Sequence, residues 1–125
     1  PNWAPPPVLC VQGTADPLVP YEGGSSGIGD ANRGTARSAI DSARYFAQLN
    51  SLNPEHHTSA SSDGVRVDRF GPGVPGSPAQ AANVELWSIE GMGHLVPSPK
   101  KLDEKIGPGT DKVVGADLVA NFFSL

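Results

Sequence analysis

Two residues have types and positions that would do chemistry together: Asp16, in Gly13-Thr14-Ala15-Asp16-Pro17-Leu18-Val19-Pro20, and His94, in Gly91-Met92-Gly93-His94. A carboxylate that accepts one ring N–H of an imidazole holds the ring in one tautomer and stabilises its cation. The other ring nitrogen is then free to take up and return a proton. Taken alone, an Asp before Pro reads as a turn former and a His among glycines as a surface or capping residue. What favours the chemical reading is that each follows a short apolar run that ends in glycine.

Those runs are the elements that must position the pair. Val8-Leu9-Cys10-Val11 is continuously apolar and stops at Gly13, the pattern of a short strand over 8–12 covered on both faces. Residues 84–90 (Val-Glu-Leu-Trp-Ser-Ile-Glu) carry apolar groups on both faces and read as a second core strand. Between them, Ala36, Ala39, Ile40, Ala43, Phe46 and Ala47 recur at helical spacing, with Thr35 or Ser38 available as cap. A helix is expected over about 36–50. Residues 51–62 read as polar and turn-rich, 65–70 as a half-exposed strand at a sheet edge or in a hairpin arm, and 71–78 as a run of turns. After a mostly polar loop over 95–111, Val114, Leu118, Val119, Phe122 and Phe123 mark a closing helix with one apolar stripe. The order strand, helix, strand, helix predicts an α/β fold: core strands of a mostly parallel sheet with flanking helices. In such sheets reactive groups collect in the loops at the carboxyl ends of the strands. Neighbouring parallel strands lie about 4.8 Å apart, so Asp16 and His94 are expected within hydrogen-bonding reach.

Residues 13–24 (GTADPLVPYEGG) and 84–94 (VELWSIEGMGH) resemble the last third of an α/β-hydrolase, and more narrowly the polyhydroxybutyrate depolymerase and feruloyl esterase group of secreted ester hydrolases. The likeness extends to Tyr45-Phe46-Ala47-Gln48-Leu49-Asn50 and to Phe122-Phe123, and so spans nearly the whole chain. The resemblance implies that Asp16 is the acid and His94 the general base of a serine carboxylic-ester hydrolase, with no cofactor and no metal. The group's order is Ser, Asp, His, so the nucleophile is expected N-terminal to Pro1. The chain begins with Pro and its one Met is Met92, which fits a partial domain over 1–125 that has no ester turnover by itself. The expected partner is an ester substrate, a polyester oligomer or a polysaccharide-linked aromatic ester. An extracellular location is implied by the resemblance alone. Two departures stand out: Leu95-Val96-Pro97-Ser98 replaces the group's usual Trp-Pro-Gly, and Ser51-Leu52 replaces a frequent Gly-Cys, which removes a disulfide partner for Cys10. The alternative function is a non-catalytic binding module of the same architecture.

Composition bounds these readings. Of 125 residues 38% are hydrophobic, ordinary for a globular domain, while 15 glycines and 13 prolines require much turn and loop. A net charge of −4 gives no basic footprint for nucleic acid, and the longest apolar runs fall far short of the roughly 20 residues of a membrane helix. A single cysteine, Cys10, forms no internal bridge and reads as a small buried hydrophobe. Gly23-Gly24-Ser25-Ser26-Gly27 satisfies G-x-S-x-G, but no strand leads in and no helix leads out, so Ser25 is rejected as a nucleophile. Residues 23–29 (GGSSGIG) likewise lack the strand a dinucleotide-binding turn needs, and Tyr45 lacks a lysine four residues on. His56 and His57 point apart on an extended segment and make a poor metal pair. Lys100-Lys101 reads as a solvated loop, Trp87 and Phe122 as core, and Tyr21 and Glu22 as either cleft lining or a surface turn. Oligomeric state has no signature in the chain.

Overall fold

A computed structural model describes residues 4–27, 34–72, 74 and 82–125. Parts of two sequence readings lie outside the described residues: the end of the 23–29 glycine run and most of the 71–78 turn run. The elements, in chain order, are β1 (Val8–Gly13), β2 (Gly24–Ser25), β3 (Thr35–Ala36), α1 (Ala39–Leu49), β4 (Thr58–Ser62), β5 (Val65–Phe70), β6 (Val84–Ile89), a 3₁₀ turn at Glu104–Ile106, and α2 (Gly115–Phe122).

The main sheet has the order β1-β6-β5-β4, and β2 and β3 form a separate two-stranded ribbon. Only β1 and β6 run parallel; β6–β5 and β5–β4 are antiparallel. The expected mostly parallel α/β-hydrolase sheet with flanking helices is therefore overturned by a small mixed sheet with two α-helices among the described residues. The cause is local. Asp63 and Gly64 have φ of 50° and 76°, the left-handed pair that a two-residue hairpin turn requires, so the chain doubles back and adds two antiparallel strands before β6. β5, expected at an edge or in a hairpin arm, is an arm of this hairpin but lies inside the sheet. Val67, Asp68 and Phe70 are buried, and the outer edge is the wholly exposed, polar β4.

Ser38 caps α1, its Oγ accepting the Asp41 amide at 3.1 Å, so the helix starts three residues later than 36 and Thr35–Ala36 pairs in the ribbon instead. Ala39, Ala43 and Ala47 form its inner stripe. These small side chains let the helix lie close on the sheet, against Phe70, Val84 and Leu86. Val8, Cys10 and Tyr21 pack at the rim of this core. Strand side chains alternate, so Leu9 and Val11 point to the opposite face, toward α2. Trp87 and Phe122, expected as core, are half-buried there. No helix among the described residues is long and apolar enough to cross a membrane.

Candidate acid–base site

The parallel pair sets the site. β1 and β6 are in register from Val8 opposite Val84 to Gly13 opposite Ile89, so both strands end at the same level and their following loops share one rim. The loops are then stitched together: Thr14 N–H donates to Ile89 O (3.0 Å), Ala15 N–H to Met92 O (3.0 Å) and Gly91 N–H to Thr14 Oγ1 (2.9 Å). Gly13 makes this approach possible, because a Cβ there would lie 1.9 Å from Met92 O. The far side of the His94 loop is held by Gly93 N–H donating to Pro108 O (2.8 Å) and His94 N–H to Ile106 O.

Asp16 Oδ2 lies 2.8 Å from His94 Nδ1. Its other oxygen, Oδ1, accepts the Leu18 amide at 2.8 Å and the Val19 amide at 2.9 Å, the local turn that an Asp-Pro sequence favours. The carboxylate is thus fixed by three donors, and its side chain is 5% exposed against 48% for His94. Facing a carboxylate, Nδ1 is the nitrogen that carries the ring proton in the neutral imidazole, which leaves the lone pair on Nε2. Among the described residues no side chain hydrogen-bonds Nε2. The arrangement is competent to accept a proton at Nε2 and hold the resulting imidazolium against Asp16.

Further ties hold the Asp16 loop to the sheet. Gln12 Nε2 donates to Val19 O at 2.9 Å, and the Tyr21 hydroxyl and the buried Ser88 Oγ are 2.7 Å apart. The sequence left Tyr21 open between cleft and surface; it sits against the core, and its carbonyl accepts the Ala39 amide at the start of α1. The carbonyls of Ile106 and Pro108 carry no local sequence signal and were legible only in three dimensions.

The remaining candidates fall elsewhere. Ser25 lies in the β2–β3 ribbon opposite Thr35. His57 Nε2 is 3.1 Å from Asp68, a second His–Asp pair that sequence reasoning did not single out. His56 Nδ1 faces Asn53 Nδ2 at 3.3 Å. No three His, Cys, Asp or Glu side chains converge on a metal-sized site among the described residues. Cys10 packs beside the core, where burial pushes its thiol pKa up. No family model matches the chain, and no curated protein or solved structure is significantly similar to it.

Proposed function

We propose that Asp16 and His94 are the acid and base of a serine carboxylic-ester hydrolase. The observation that carries the reading is the combination at one rim of a buried carboxylate anchored by two backbone amides and a half-exposed imidazole hydrogen-bonded to it through Nδ1. The likeness of residues 13–24 and 84–94 to the polyhydroxybutyrate depolymerase and feruloyl esterase group supports an ester as substrate. On this reading a serine hydroxyl supplied by another polypeptide segment attacks the ester carbonyl. His94 Nε2 takes the hydroxyl proton as the new C–O bond forms, Asp16 stabilises the imidazolium, and the same proton passes to the departing alkoxide as the acyl–oxygen bond breaks. Water then releases the acyl group by the same proton relay.

The test is hydrolysis of 4-nitrophenyl butyrate by the full-length natural protein. Inhibition by a fluorophosphonate and a loss of at least about 10³-fold in turnover on His94→Ala are expected. Near-normal turnover in that variant overturns the assignment. A full-length protein that neither hydrolyses esters nor reacts with the fluorophosphonate is a binding module instead. The 125-residue chain alone is expected to show no fluorophosphonate-sensitive turnover.

A further inference from the structure

The proposed acid–base pair sits at the mouth of a crevice of about 650 Å³ between α2 and the sheet face that carries Leu9 and Val11. The volume is within the roughly 300–1,000 Å³ of small-molecule pockets. Its walls are apolar. Leu9 and Val11 form the floor, Leu118, Val119 and Phe123 one side, and Val96 in the loop after His94 the lip. Three of the large apolar side chains left open to solvent line this space: Val96 is 73% exposed and Val119 and Phe123 are each 42% exposed. The polar side chains reaching it are those of Asp16, His94 and Gln12. Asp16 already accepts from His94 and two amides, and one N–H of the Gln12 amide donates to Val19 O. A sugar or other polyol entering here would strip water from many hydroxyls and find only His94 Nε2 and the remainder of the Gln12 amide to replace it, which is costly for each group left unpaired. A hydrocarbon chain would bury apolar surface on both sides.

We infer that this crevice binds the hydrocarbon portion of the ester, so that the site takes esters of apolar acyl chains and leaves acetylated sugars aside. The inference rests on the ester-hydrolase reading for its chemistry, but the crevice is defined independently of any reaction.

The test uses the 125-residue chain, titrated with methyl butanoate, methyl hexanoate and a monoacetylated methyl glucoside and followed by amide NMR. The alkanoates are expected to move the signals of Val96, Val119 and Phe123. Affinity should rise about fourfold per added methylene, hence about 16-fold from butanoate to hexanoate. Val119→Asp, which places a charge on an already exposed site, should weaken hexanoate at least tenfold. Val96→Asp serves the same purpose if the first variant does not fold. Equal affinity for the sugar ester, absence of chain-length dependence, or hexanoate binding unmoved by either variant overturns the proposal. So does concentration-dependent dimerisation in sedimentation that closes the crevice with a second copy. These outcomes are separable from failure of the acid–base assignment, which is read from His94→Ala turnover in the full-length protein and not from binding.

Discussion

Asp16→Asn isolates the electronic role of the carboxylate from its structural one. Asp16 Oδ1 receives the Leu18 and Val19 amides at 2.8 and 2.9 Å, so the asparagine carbonyl oxygen must take that position; an NH₂ group there would face two N–H donors. The NH₂ is then directed at His94 Nδ1, which at 2.8 Å can meet it only as an acceptor. The ring proton moves to Nε2, and the nitrogen proposed to accept a proton no longer has a lone pair to do so. In triad enzymes this exchange costs about 10⁴ in turnover, or about 5.5 kcal/mol of transition-state stabilisation. Stability should change by less than about 1 kcal/mol, since both amide bonds survive, whereas Asp16→Ala strips both acceptors and should cost about 1–3 kcal/mol. Nitrogen-15 shifts of the His94 ring report which nitrogen is protonated, and can be read on the 125-residue chain. A wild-type ring protonated at Nδ1 and an Asp16→Asn ring protonated at Nε2 are expected. If Asp16→Asn keeps its proton on Nδ1, or the full-length variant turns over within tenfold of wild type, the tautomer argument is refuted.

Gly13→Ala should destabilise the fold by about 1–3 kcal/mol and separate the two loops, because the added methyl would overlap Met92 O; urea midpoints measure the first effect and loss of the Asp16–His94 hydrogen-bonded proton signal the second. Asp68→Ala should cost about 1–3 kcal/mol in the same assay, as it leaves the part-buried His57 Nε2 and the Arg66 guanidinium without their shared acceptor. The Cys10 thiol, its pKa raised by burial, holds its proton to higher pH in the folded chain than in the unfolded one. Its contribution is therefore complete below the ordinary thiol range and is lost as pH rises from there through the raised value of the folded chain. The wild-type urea midpoint should fall more steeply than that of Cys10→Ala in alkaline buffer, and iodoacetamide should label the folded chain slowly at neutral pH.

The parts of the fold that were legible were those written in short-range pattern. The apolar runs of β1 and β6, each stopped by a glycine, and the alanine stripe of α1 follow from burial alone. Direction and neighbour were not legible, because an apolar strand pairs equally well either way round and nothing in Val65–Phe70 shows that Asp68 is buried by ionic partners. β4, Thr-Ser-Ala-Ser-Ser, has no hydrophobic period, being the exposed edge; the Asp63-Gly64 turn was its one available signal. That hairpin, inserted between α1 and β6, is what turned an expected parallel sheet into a mixed one. The Asp16–His94 contact does not depend on that hairpin, because it needs only one strand pair, β1 with β6, ending in register.

The two His–Asp pairs show why proximity alone does not make an acid–base site. They differ little in distance, 2.8 Å for Asp16–His94 and 3.1 Å for Asp68–His57. Asp68 Oδ1 is shared among His57, the Arg66 guanidinium and the Ser59 hydroxyl, so the imidazole is one of several donors to it. His57 stacks on Phe70 with ring centroids 4.7 Å apart, and its second nitrogen, Nδ1, is buried without a hydrogen-bond partner. A proton on that nitrogen has neither an acceptor nor a route to substrate, and the pair serves to pin the segment before β4 onto β5. At the other pair the roles are divided: Asp16 Oδ1 is spent on the backbone, which fixes the carboxylate, while Oδ2 is left for one imidazole. The ring it holds keeps its second nitrogen at the open rim, beside an apolar crevice. The pair proposed for acid–base work is thus the one whose imidazole is the more exposed, 48% against 18%, and whose second nitrogen is not buried.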